Sequence, residues 1–440
     1  MIAFIDHEWM MQDGWMLLAA ILCAASAAIL GNYLVLRKMS MLGDAISHAV
    51  LPGIAAAFVL TSSREGPGMF IGAVVVGLLT AVFTEWIRGA GRVDEGASMG
   101  VVFTTLFALG LVLIVRAADA VDLGPDCVLY GAIEWMPWAP LVPGTIIPIP
   151  IAKLATVFVL NVVFVVLFYK ELKLSSFDPS LATSMGINAR WMHYLLMIMV
   201  SLTAVASFEA VGSVLVVAML IVPASTAYLL TNRLSFMILL STLLAVLAAV
   251  GGYYMATRGP ALIGFKSTTV AGTMAVASGI LLVTAAVFSP TQGVLIRWVR
   301  RQRMSFGILC DDITATLYRL NERGQAIPSS HQLAAQLMAG RVSFAMAKWH
   351  LVRAGELETD PAWSLTDRGR KRALELVRSH RLWEHYLVNA ADRDADRIHD
   401  QAEEFEHFTD RLLRDRLDAV ADGAGVDPHG TAIPEEKELS

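Results

Sequence analysis

The chain has 440 residues, 56% hydrophobic and 17% charged, with a formal net charge of −5 and a mean hydropathy of +0.58. The charged share lies below the roughly 25% of ordinary globular chains, and it is uneven: 28 charged residues fall in 1–289 and 45 in 290–440. This excludes a single soluble domain, and net charges of −2 and −3 exclude a basic nucleic-acid magnet in either part. Three distant cysteines, Cys23, Cys127 and Cys310, without a CxxC pair, indicate neither a disulfide framework nor a thiolate zinc site.

A membrane span needs about 20 mostly apolar residues. Nine such runs occur, at 14–36, 43–61, 68–88, 98–116, 149–169, 193–209, 211–230, 236–256 and 270–288. The first is preceded by an acidic segment and followed by Arg37-Lys38, the reverse of a cleavable signal peptide, so it reads as a retained span. The stretch 117–148, with five prolines, reads as an interfacial or re-entrant connection. Alternate loops hold twelve and five Lys/Arg residues, and the twelve include Arg297, Arg300, Arg301 and Arg303 after the last span. The positive-inside rule then puts the C-terminal part in the cytoplasm and the N-terminus outside a bacterial-type inner membrane.

The second span opens Leu42-Gly-Asp44-Ala-Ile-Ser47-His48, and residues four apart share one helix face. Ionisable groups near hydrocarbon normally face a bundle interior or polar path, and a carboxylate with an imidazole suits Mn²⁺, Fe²⁺ or Zn²⁺. A self-satisfied Asp–His hydrogen bond is the competing reading. The run Leu34 to Gly53 around this pair closely resembles the signature of the manganese/zinc/iron ABC permeases, as do Phe177–Ile187 and Val211–Ala227. That resemblance implies an all-α polytopic fold like that of vitamin-B12-type importers, working as a dimer of permease copies. It also implies ion binding by Asp44 and His48, and a cytoplasmic coupling segment carrying Asp178, Pro179, Ala182 and Gly186. The implied partners are a separate ABC ATPase chain and an extracytoplasmic metal-binding protein. Gly259–Ser267 only superficially resembles a P-loop, since Phe265 breaks the Gly-Lys pair and no strand precedes it. No nucleotide site is expected in this chain, and no enzyme activity of its own.

The expected organisation is a permease domain at 1–289, a basic linker at 290–304, a soluble domain at 305–436 and a tail at 437–440. In the soluble part, helices at 308–323, 331–338 and 341–354 and a β-wing at 356–364 have the order of a winged helix-turn-helix. Two further helices are expected at 375–389 and 395–417. His380 and Glu384 are four apart, and His399, Glu403, Glu406 and His407 fall on one helix face. Such nitrogen and oxygen donors without thiolate suit Mn²⁺ or Fe²⁺, and zinc less selectively; solvated salt-bridged helices are the alternative. The segments 378–387, 398–408 and 427–434 resemble the diphtheria-toxin-repressor and manganese-regulator family. The resemblance implies a helical metal-binding and dimerisation domain in which Asp312 joins those six residues as ligands. Glu403 stands where manganese-sensing members carry Glu, which favours Mn²⁺, whereas Ala315 departs from the second first-helix carboxylate of those members. The reading helix 341–354 is poor in base-reading side chains, which counts against DNA as a partner. The expected function is therefore a metal-importer permease with a fused regulatory metal sensor. The alternative is a metal-dependent repressor released from the permease by proteolysis of the linker.

Overall fold

The computed structural model describes residues 7–39, 41–61, 67–91, 93–117, 133–143, 145–264, 268–358, 363–389, 398–421 and 425–434, with the side chains of His48 and Glu209 among those outside the description. The chain forms two compact units, Met1–Ile296 and Arg297–Ser440.

The first unit is a helical bundle. Its helices are α1 (His7–Leu36), α2 (Leu42–Thr61), α3 (Pro67–Gly91), α4 (Glu95–Ala117), α5 (Ile149–Leu167), α6 (Tyr169–Phe177), α7 (Pro179–Ser184), α8 (Ala189–Val211), α9 (Ser213–Leu230), α10 (Leu234–Ile263) and α11 (Val270–Phe288). Eight of the nine expected segments form helices long and apolar enough to cross a membrane; α2 is apolar over the shorter stretch Leu42–Phe58. Of the expected 117–148 connection, 118–132 lie outside the described residues. Ile133–Trp138 is a single 3₁₀ turn, whose Glu134 Oε1 accepts from the Val270 N–H at 3.1 Å and so satisfies a donor at the start of α11.

Helix α1 lies at the centre, against α5, α8, α9 and α10. Its buried face is mostly alanine, which lets backbones approach as they do in membrane bundles. At the α1–α9 crossing a Cβ on Gly31 would sit 1.8 Å from the Leu220 carbonyl oxygen. Polar links replace water where hydrocarbon offers no hydrogen bond. Asn32 Nδ2 donates to Ser241 Oγ at 2.7 Å, and Asn161 Nδ2 donates to Ser26 Oγ at 2.6 Å and Thr203 Oγ1 at 2.8 Å. The outward faces are apolar, with Val159, Val163 and Val166 on α5 and Leu239, Leu243 and Leu247 on α10 exposed. A soluble surface does not tolerate stripes of this kind; a bilayer covers them. The unit is a multi-pass membrane domain.

The second unit begins within α12 (Val294–Glu322), followed by α13 (Ser330–Gln336), α14 (Arg341–Arg353), the antiparallel pair β1 (Leu357–Glu358) and β2 (Ser364–Leu365), α15 (Asp367–Asn389), α16 (His399–Glu406) and α17 (Arg411–Val420). Ile313, Leu317, Leu333, Phe344, Leu351 and Leu357 form the winged-helix core. Leu382, Leu417, Ala421 and Ile433 form a second core. The structure differs from the expected elements at three points. The basic linker is helical from Val294, because no Gly or Pro interrupts the chain until Gly307, which the helix absorbs. Helix α15 starts eight residues earlier than expected, at Asp367. The single helix expected at 395–417 is two, because Asp410 caps a new one by accepting from the Leu413 N–H at 2.8 Å.

Candidate metal centres

Asp44 lies half-buried in the first turn of α2, five residues beyond the turn that closes α1. Ser47 Oγ donates to the Gly43 carbonyl at 2.8 Å, which turns that hydroxyl back onto its own helix. The side chain of His48 lies outside the described residues; its backbone keeps the i,i+4 register with Asp44 along α2. Gly53 and Gly72 bring α2 and α3 into close contact, since a Cβ on Gly53 would stand 2.4 Å from the Gly72 carbonyl oxygen.

The expected coupling residues build one compact turn. Asp178 Oδ1 accepts from the N–H groups of Ser180 at 3.0 Å and Leu181 at 2.9 Å, and Pro179 occupies the first position of α7, where its missing N–H costs nothing. Ala182 is buried beneath the turn, and Gly186 closes it at φ +84°, where an L side chain is strained. Phe177, Leu181 and Met185 are left exposed around it.

In the second unit, six of the seven expected ligands gather into two groups, each able to converge on one ion. In the first, His380 Nε2 stands 3.1 Å from Glu384 Oε1 and 3.0 Å from His399 Nδ1, which is itself 2.9 Å from Glu384 Oε1. In the second, His407 Nε2 is 3.2 Å from Asp312 Oδ1, and Glu406 completes the trio. The groups touch, because His380 Nδ1 lies 2.6 Å from Glu406 Oε2. Glu403 belongs to neither group and is exposed; it lies on the flank of α16 beside the buried Ala402–Glu406 row.

Electrostatics sharpen this arrangement. Burial works to raise the Glu384 carboxyl, but hydrogen bonds from His380 and His399 bring it down to about 2. Burial works against the charged form of His407 as well, yet Asp311 and Asp312 push it up to about 10. Burial opposes the charge on His380 too, and its two glutamates outweigh that and raise it. His380 Nδ1 and His407 Nδ1 are buried without an aligned hydrogen bond. Nitrogen and carboxylate oxygen in this mixture fit a divalent transition ion. The Cys310 thiol, next in chain to Asp311, is pushed up to about 11 by burial and offers no thiolate.

Two residues were missed from sequence. Asp311 stands 3.5 Å from His407 Nδ1 and also binds Arg372, beside the ligand Asp312 that was singled out. His429 Nε2 comes within 3.8 Å of Glu384 Oε1, held on a turn whose Asp427 Oδ1 accepts from the His429 and Thr431 N–H groups. Its signal, an Asp-Pro-His-Gly turn, lies 45 residues from Glu384, beyond any helical spacing rule.

On the reading helix α14, Lys348 Nζ sits 4.5 Å over the Trp363 ring and the Arg353 guanidinium 5.1 Å from that of Trp349, while Val342 and Met346 are exposed. Two of its cations thus lie on aromatic faces.

Residues 7–289 match the ABC 3 transport family, and residues 366–435 match the iron dependent repressor, metal binding and dimerisation domain. Over 297 residues the chain is 44% identical to the manganese transport system membrane protein MntD of Bacillus subtilis (strain 168), covering 66% of this chain and 97% of that protein. It is 35% identical to the zinc transport system membrane protein TroD of Treponema pallidum (strain Nichols), covering 64% and 75%. Among solved structures, PsaBC from Streptococcus pneumoniae in complex with Fab is similar at 32% identity and a TM-score of 0.53, over 66% of this chain and 94% of that one.

Proposed function

The chain belongs to the ABC 3 transport family, and from that premise we propose that it is the permease subunit of an importer that moves a divalent transition metal, manganese, across the inner membrane. The observation that carries this reading is the family match over 7–289 with close similarity to manganese and zinc transport membrane proteins. Asp44 and His48 are the pathway ligands, one turn apart near the start of α2. An extracytoplasmic metal-binding protein delivers the ion, and a second permease copy faces this one across the pathway. A separate ABC ATPase supplies the energy, docking on the exposed Phe177, Leu181 and Met185 around α7. In this reading the N-terminus is outside and the second unit is cytoplasmic, in keeping with the Arg-rich segment after α11.

The second unit is the sensor. Its metal would be held by His380, Glu384 and His399 with His429 in reach, and by Asp312, Glu406 and His407. An ion there would supply positive charge to this carboxylate-rich cluster, and binding it would require neutral imidazoles. Glu406, which contacts Arg319 at 3.2 Å, would be one of its holding residues. We assign this binding the role of slowing import when cytoplasmic metal is plentiful. Deleting residues 304–440, or replacing His380 with Ala, should abolish the inhibition of uptake by high internal Mn²⁺; inhibition that survives both changes sinks the sensor assignment. The alternative of a released repressor is weaker. Proteases prefer extended exposed loops, and the proposed cleavage region is helical from Val294.

A further inference from the structure

Arg37 directly follows α1, in the turn into α2. Its NH2 donates to Ser175 Oγ at 2.8 Å and its Nε to Ser176 Oγ at 3.0 Å, while NH1 stands 3.2 Å from His193 Nδ1. On the other side of the imidazole, His193 Nε2 lies 3.6 Å from Glu85 Oε2, and Arg88 stands 3.4 Å from the same carboxylate oxygen. One guanidinium therefore ties the end of α1 to α6 and α8, and through His193 to α3.

The positions of these contacts matter. Ser175 and Ser176 immediately precede Phe177 and Asp178, where α6 ends and the capped turn of α7 begins. Arg37 itself is seven residues before Asp44, and the chain between them has little slack. Lys38 adopts φ +61°, the Met39 N–H donates to the Leu34 carbonyl at 2.9 Å, and the Leu42 N–H donates to the Met39 carbonyl at 3.1 Å. Met39 and Leu42 are buried, so this turn is anchored on its inner side as well. A planar guanidinium with several donors in fixed directions holds three partners at once, which a flexible ammonium cannot do. Loops carry motion poorly; a short turn held on its inner side by Met39 and Leu42 and clamped by the charged hydrogen bonds of Arg37 carries it as a lever.

We propose that Arg37 is a positioning residue that links the coupling segment to the ion-binding helix: when α6 and α7 move, the clamp carries the α1–α2 turn, and with it Asp44, between its two exposures. The inference rests on the permease reading above. It assigns Arg37 no contact with the transported ion.

The test is the full chain with its ABC ATPase in liposomes, supplied with the extracytoplasmic metal-binding protein, measuring radiolabelled Mn²⁺ uptake and ATP hydrolysis together, so that the readout is ions moved per ATP. For Arg37→Gln, assembly and hydrolysis should persist while ions moved per ATP fall by at least about tenfold, the scale of one lost charged hydrogen bond. The milder Ser175→Ala/Ser176→Ala pair keeps the guanidinium and should give a smaller fall. Arg37→Lys, which keeps the charge and loses the fork, should fall between Arg37→Gln and the wild type. Should Arg37→Gln fail to assemble, the serine pair decides alone. An unchanged ratio in assembled Arg37→Gln, or in the serine pair when Arg37→Gln cannot be assembled, overturns the inference and leaves the permease reading intact. A parallel fall of uptake and hydrolysis at constant ratio also overturns it, as a structural role alone would give that result. A wild-type complex that moves no Mn²⁺ overturns the permease reading and the inference with it.

Discussion

His407 is the side chain on which the proposed metal response turns. Its imidazole is buried and lies between Asp311 and Asp312, so the metal-free protein holds it protonated at neutral pH, with a pKa of about 10. That folded value lies above the ordinary 6.5. Its charge therefore stabilises the metal-free fold fully below about pH 6.5, and that contribution is lost as pH rises through about 10. Glu384 behaves oppositely: with its carboxyl at about 2, its contribution is present above 4.5 and disappears as pH falls through 2. A metal ion needs the neutral imidazole, so binding at the second trio must expel a proton, and affinity should rise by about tenfold per pH unit between 7 and 9. Calorimetry of Mn²⁺ binding in buffers of different ionisation enthalpy should show proton release in the full chain and less of it in His407→Ala; heats independent of buffer in the full chain would refute this. Much of this site is legible from sequence, because His380 and Glu384 obey helical spacing. Glu403 obeys the same spacing and still faces solvent, since it lies beside the buried Ala402–Glu406 row and spacing does not say which of two adjacent rows turns inward.

At the scale of elements, membrane helices are held by small residues and by a few polar links. Asn161 connects α5 to Ser26 on α1 and Thr203 on α8. Asn161→Leu should cost roughly 0.6–2 kcal/mol, the range measured for hydrogen bonds between membrane helices, read as a lower temperature of aggregation in detergent. Gly31→Ala should be worse, as its Cβ would meet the Leu220 backbone at 1.8 Å and neither helix can yield without separating. A Gly31→Ala protein as stable as the wild type would show that the α1–α9 crossing is looser than described. The apolar segments are legible because hydrocarbon imposes both their length and their composition. The break at Asp410 and the early starts of α12 and α15 are not, since capping and continuation are decided locally by one or two residues. Contacts such as Arg37 to Ser175, 138 positions apart, leave no periodic trace at all.

At the scale of the molecule, a transport family domain is joined to a match for a metal-binding and dimerisation domain, and the same class of ion fits the donors of both. The two constellations differ in kind. The proposed membrane site is sparse, as release of a transported ion would require, whereas the proposed sensor site is dense and partly buried, as retention would require. The helix Val294–Glu322 is continuous across the boundary between the two units. The central claim is that Asp44 stands in the ion's path. Its most direct test is Mn²⁺ accumulation in cells expressing the complete importer with the wild-type chain or Asp44→Ala, with metal bound to the purified protein measured in parallel. Uptake by Asp44→Ala should fall to background while its soluble unit still binds Mn²⁺; undiminished uptake would contradict the account.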